Sequence, residues 1–96
     1  MNPTASYRFL SDTQYHNRFL LLGYPLKLSP TESSILHKLL AEISVSVEEL
    51  CVLPSKTLSK RCLAVHVHAI NQKAEQISGR RLILFLEDCY RLSHNM

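Results

Sequence analysis

No run of apolar residues in this chain approaches the roughly 20 that a membrane-crossing helix needs, and residues 1–6 lack the charged and apolar regions of a signal peptide. A cytoplasmic protein with no membrane contact is expected. Cysteine is sparse. Cys51, Cys62 and Cys89 are an odd number with no C-x-x-C, which removes a zinc ribbon and a dithiol redox motif. Cys51 and Cys62 stand among apolar residues and read as small buried thiols in a reducing compartment. There is no nucleophile elbow, no phosphate loop and no pair of acids at useful spacing. Cys62 and His66 are i and i+4 on one helix, but no third group is at hand to orient them. His66 and His68 are i and i+2, so they point roughly 200° apart on a helix and cannot share an ion. The expectation is a non-enzyme with no cofactor, no metal and no small-molecule substrate.

The 96 residues suffice for one domain, 1–96, with a single core. Hydrophobic residues at 46% and charged residues at 20% place it among ordinary globular chains. The net charge of +3 is unevenly spread. Residues 1–50 carry Arg8, Arg18, Lys27 and Lys38 against Asp12, Glu32, Glu42, Glu48 and Glu49, a net of −1. Residues 51–96 carry Lys56, Lys60, Arg61, Lys73, Arg80, Arg81 and Arg91 against Glu75, Glu87 and Asp88, a net of +4. A basic second half suits a polyanionic partner.

The hydrophobic pattern changes period along the chain. Residues 7–10 and 18–22 are short apolar runs separated by the polar, turn-rich stretch Ser11 to Asn17, and Leu26-Lys27-Leu28 alternates, so a small antiparallel sheet is expected. Gly23-Tyr24-Pro25 breaks the second strand from the third. Ser29 then opens a helix over 30–43: its hydroxyl can accept from the Glu32 amide, Glu32 can reach back, and Pro30 takes the first helical position. Ile35, Leu36, Leu39, Leu40 and Ile43 form its apolar stripe. Ser46 with Glu49 repeats the capping box for a second helix of about two turns, with Leu50, Val52 and Leu53 as its apolar face and Pro54 as its stop. A third helix runs from Ser59 or Lys60 to Ile77 and ends at Ser78-Gly79. Leu63, Val67, Ile70, Ala74 and Ile77 make its buried stripe, with Ala64, His68, Asn71, Gln72 and Glu75 on the other side. Arg81 to Leu86, a turn at Glu87-Asp88, and Cys89 to Leu92 form a closing hairpin. The order sheet, helix, short helix, long helix, hairpin is that of an α+β winged helix-turn-helix.

Over roughly residues 7–93 the chain resembles the winged-helix effector domain of two-component response regulators of the OmpR/PhoB type. Leu28-Ser29-Pro30-Thr31-Glu32 resembles the start of that family's first helix and Val47-Glu48-Glu49-Leu50 its second. Val65-His66-Val67 with Ile70 resembles its recognition helix, and Tyr90-Arg91-Leu92 the close of its wing. The resemblance implies a DNA-binding transcription regulator with helix three in the major groove. No receiver domain is present in these residues, so a phosphorylation switch would lie elsewhere. The family's arginines on the recognition helix are replaced here by His68, Ala69, Asn71 and Gln72, and its wing arginine and glycines by Phe85-Leu86-Glu87-Asp88-Cys89.

On this reading double-stranded DNA is the partner. Asn71 is the leading base reader, because its amide complements an adenine edge, with His68, Gln72 and Ala64 on the same face. Lys60, Arg61, Lys73, Arg80 and Arg81 would contact phosphates, as would Thr31 with the amides that open helix one. The alternative is a degenerate winged helix that binds protein, as a homodimer or an adaptor, without DNA. The uncharged helix face and the acidic wing turn favour that alternative, and Leu84 and Leu86 would then belong to an apolar patch or subunit contact.

Overall fold

Three serines set the helices. In the computed structural model, which describes residues 10–12 and 18–93, Ser29 caps α1 (Pro30–Ala41), Ser46 caps α2 (Val47–Cys51) and Ser59 caps α3 (Lys60–Ser78). Each hydroxyl accepts from the backbone N–H three residues on, which satisfies one of the amides a helix start leaves open. Only at α1 is the box reciprocal: Glu32 Oε1 accepts from the Ser29 N–H at 2.9 Å. At α2 the Ser46 half of the expected box is present. Gly79 ends α3 in the left-handed conformation, with its N–H donating to the Glu75 carbonyl at 2.8 Å.

Two three-stranded antiparallel sheets flank the helices. The first has the order β1 (Leu10–Asp12), β2 (Arg18–Leu21), β3 (Tyr24–Lys27). β1 runs into Ser11 and Asp12, which sequence assigns to a turn; residues 7–9 and 13–17 lie outside the described residues. The break after β2 is only the two-residue turn Leu22-Gly23, both at positive φ, so Tyr24 and Pro25 join β3. Pro25 is tolerated because β3 is an outer strand.

The second sheet has the order β4 (Val45–Ser46), β6 (Cys89–Leu92), β5 (Ile83–Leu86). β4 was not foreseen, since two residues carry no alternation; it places Val45 opposite Tyr90 and Ser46 opposite Cys89. β5 begins at Ile83 rather than at Arg81. The hairpin turn is Glu87-Asp88, as the sequence reading has it.

The core gathers Phe19, Leu21 and Leu26 from the first sheet, Ile35, Leu36 and Leu39 from α1, Leu50 from α2, Leu63, Val67, Ile70 and Ala74 from α3, and Ile83, Tyr90 and Leu92 from the second. The expected stripe of α3 is buried, with Ile77 partly so. Two apolar residues expected inside lie outside. Ile43 follows the helix end at Glu42 and is 69% exposed, because the chain is extended there and leaves the α1 stripe. Val52 follows the end of α2 and is likewise exposed. Cys62 is exposed too, since it falls off the α3 stripe, while Cys51 is buried. All three cysteines are free. α1 also fixes α2: Lys38 Nζ donates to the Glu49 and Val52 carbonyls, the latter at 2.7 Å, and so caps the end of a helix too short to hold itself.

Glu87 and Asp88 have φ of 53° and 61°. A two-residue hairpin turn needs left-handed backbone at both central positions, which Asn-Gly adopts readily and glutamate does not. Replacing Glu87→Asn together with Asp88→Gly is expected to stabilise the domain by roughly 1 kcal/mol, read as a shift in denaturation midpoint at constant m-value. Destabilisation by the pair of changes would show that the acidic side chains hold the turn.

Candidate nucleic-acid interface

α3 is 19 residues long and packs along one side only. At about 100° per residue its buried residues, Leu63, Val67, Ile70 and Ala74, occupy one flank. The opposite flank carries Arg61, Val65, His68 and Gln72 at spacings of four, three and four, with Ala64 beside them, and all five are exposed. Val65 was missed by the sequence reading although the same helical wheel places it there; it is 63% exposed. An apolar residue at the centre of a polar face is easily taken for core when the partner that would cover it is unknown.

Asn71 does not belong to that face, and here the structure corrects the sequence reading. It is 9% exposed, and both ends of its amide are engaged. Oδ1 accepts from the Leu82 N–H at 3.0 Å and the Ile83 N–H at 2.8 Å, while Nδ2 donates to the Ile83 carbonyl at 3.0 Å. β5 is an outer strand of its sheet, and the alternation set by the Leu86–Cys89 pair turns the Ile83 backbone groups outward. Asn71 meets them as a neighbouring strand would. Both lone pairs of Oδ1 are taken, so the two-bond match to an adenine edge cannot form without breaking these bonds.

Lys73 is held as well. Its Nζ lies 2.7 Å from Glu32 Oε1, the same oxygen that closes the α1 cap. Burial alone would push the Glu32 carboxyl up. The Lys73 and Ser29 hydrogen bonds, with the positive charges of Lys73 and His66, outweigh it and hold the group below the ordinary value of 4.5. Because Glu32 already sits at the positive end of α1, half-buried Thr31 offers a phosphate its place only beside a carboxylate. Lys60 Nζ stands 3.5 Å from Glu48 Oε1, an exposed pair of little strength. Arg61 is exposed next to it, in the first turn after the Ser59 cap. Arg80 and Arg81 are exposed beyond the far end of α3, in a turn where Ser78 Oγ accepts from the Arg80 N–H at 3.2 Å. Cationic groups thus stand at both ends of the helix and its outward middle is uncharged.

The wing presents the opposite character. Phe85 and Leu86 are 56% and 55% exposed, and Glu87 and Asp88 form its tip. Phe85 lies on the inner face of the hairpin with its ring 4.9 Å from that of Tyr90, and the adjacent cleft is closed by Val47, Glu48 and Lys60. Leu86 lies on the outer face beside half-buried Leu84 and Cys89. Among the described residues no group of three or more His, Cys, Asp or Glu side chains could hold a metal ion, and no helix is long and apolar enough to cross a membrane.

Two outcomes are expected. Asn71→Ala strands two buried N–H groups and a carbonyl, which should cost about 2–5 kcal/mol in chemical denaturation, whereas the exposed neighbour Gln72→Ala should cost under about 0.5 kcal/mol. Equal effects would mean that Asn71 is no latch. Glu32 has a lowered folded pKa, so its stabilisation is complete above the unfolded value and is lost as pH falls through the folded one. Midpoints measured from pH 6 downward should therefore fall less steeply for Lys73→Met than for the unmodified chain, and parallel curves would remove the ion pair from the account.

No family model matches the sequence, and no curated protein does. The structure is similar to the crystal structure of the DNA-binding domain of the response regulator AdeR in complex with an intercistronic region. The TM-score is 0.71 over 93% of this chain and 97% of that one, at 20% sequence identity. The chain therefore has a winged helix-turn-helix fold, with α2 and α3 as the helix-turn-helix and β5–β6 as the wing.

Proposed function

We propose that the chain is a DNA-binding transcription-regulator domain that lays α3 in the major groove of a duplex. One observation carries the reading: the whole outward face of the longest helix, from Arg61 through Val65 and His68 to Gln72, is bare of any described element. A helix roughly 10–12 Å across with one free side fits the major groove, roughly 12 Å wide. Lys60 and Arg61 at one end and Arg80 and Arg81 at the other would meet phosphates, which ask only for positive charge within reach. The Lys60–Glu48 pair is exposed and weak enough to open in favour of a phosphate. Lys73 would contribute less, because leaving Glu32 strands a largely buried carboxylate. The likeness to a domain whose structure contains DNA supports the same role.

The acidic tip makes the wing a poor minor-groove probe, since the groove's negative potential repels carboxylates. The wing is therefore read as staying off the DNA. Its exposed Phe85 and Leu86 favour a second reading, in which the hairpin meets protein, either a second copy or another chain.

A salt titration against random duplex DNA separates the two. Arg61→Ala and Arg81→Ala should each weaken binding to all sequences alike and lower the log–log salt slope by about one. Replacing Glu87→Gly and Asp88→Arg should strengthen binding. Absence of binding to any duplex at low salt would discard the DNA reading in favour of the protein one.

A further inference from the structure

If α3 reads the major groove, the chemistry of its free face restricts what it can read. The row contains one guanidinium, Arg61, and it lies in the first turn beside the Ser59 cap. The middle of the row is apolar at Ala64 and Val65, and its far end carries the Gln72 amide. Val65 is 63% exposed and outside the core, so its methyls are available to a partner. In the major groove only thymine offers a methyl group, and guanine is best matched by a bidentate arginine or lysine. A glutamine amide matches adenine, accepting from N6 and donating to N7. With Asn71 engaged on β5, the exposed carboxamides on this side are Gln72 and, one turn further on, Gln76; Gln72 is the one in the row with Arg61, Val65 and His68.

We infer that α3 selects A·T pairs, with a thymine methyl packed on Ala64 and Val65 and an adenine edge bound by Gln72. The inference rests on the major-groove reading above. Val65 and Gln72 are seven positions apart, which at about 1.5 Å per residue is about three base-pair steps of 3.4 Å. His68, between them, can donate to the N7 of either purine and so adds little discrimination.

The test is a selection of duplexes from a randomised library with the full chain, followed by titrations on the selected site. Two A·T positions about three pairs apart are expected in the selected sequences. Replacing the selected thymine by uracil removes only the methyl, and should weaken the unmodified chain roughly fourfold while leaving Val65→Ala indifferent. Gln72→Ala should lose between about 5- and 150-fold on the selected site and nothing on a site with G·C at that position. Both residues are exposed, so the variants should fold as the parent does. Selection of G·C at both positions, or equal sensitivity to uracil in parent and Val65→Ala, overturns the inference and leaves the major-groove reading standing. Failure to bind any duplex at low salt overturns both.

Discussion

The three hydrogen bonds of the Asn71 amide decide how this molecule can work. They join the middle of α3 to the first strand of the wing, in a place where the sheet would otherwise expose the outward N–H and C=O of Ile83. A buried backbone pair without partners is costly, so one side chain both blunts the edge and sets the angle between helix and hairpin. Every side chain that projects from α3 inherits its direction from that junction. The Glu32 carboxylate plays the matching part at the other flank. It closes the cap of α1 and holds Lys73 of α3, so α3 is pinned from both sides and its outward row is presented rigidly.

This pinning explains why the interface is so short of charge. Among the cations of α3, Lys73 is committed to the fold and Lys60 is paired across to α2. Arg61 remains on the outward row, and Arg80 and Arg81 stand beyond its end. Affinity for a polyanion would then come from the helix ends, while the middle contributes shape and methyl contact. On the proposed reading, such a domain would depend strongly on the base pairs beneath Val65 and Gln72, because few phosphate contacts would be available to compensate for a poor match.

Much of the fold was legible in the sequence because it is written in local chemistry. Ser29 with Glu32, Ser46 with Glu49, and Gly79 mark helix ends by the hydrogen bonds they make within four residues. Leu63, Val67, Ile70 and Ala74 mark the buried face of α3 by spacing alone. What was not legible depends on contacts distant in the chain. β4 exists only because β6 passes beside it. Asn71 lies at the boundary of the α3 stripe, next to Ile70, where a wheel places it neither firmly in nor out; its partners at residues 82 and 83 decide the matter. Lys73 looks like a free cation until α1 brings Glu32 to it across 41 residues. Val65 is the converse case: an apolar residue that type alone does not mark as exposed, and that no contact among the described residues draws into the core.

The central claim is that Asn71 faces inward for the fold and that Arg61, Val65, His68 and Gln72 face outward for DNA. Amide and side-chain resonances of isotopically labelled protein, followed while a short duplex is added at low salt, test both halves together. The expected result is displacement of the Arg61, Val65, His68 and Gln72 signals, with the Asn71 side-chain amide unshifted and slow to exchange throughout. Displacement centred on Phe85 to Asp88 with α3 unmoved, or an Asn71 amide that shifts with the duplex and exchanges freely, would contradict it.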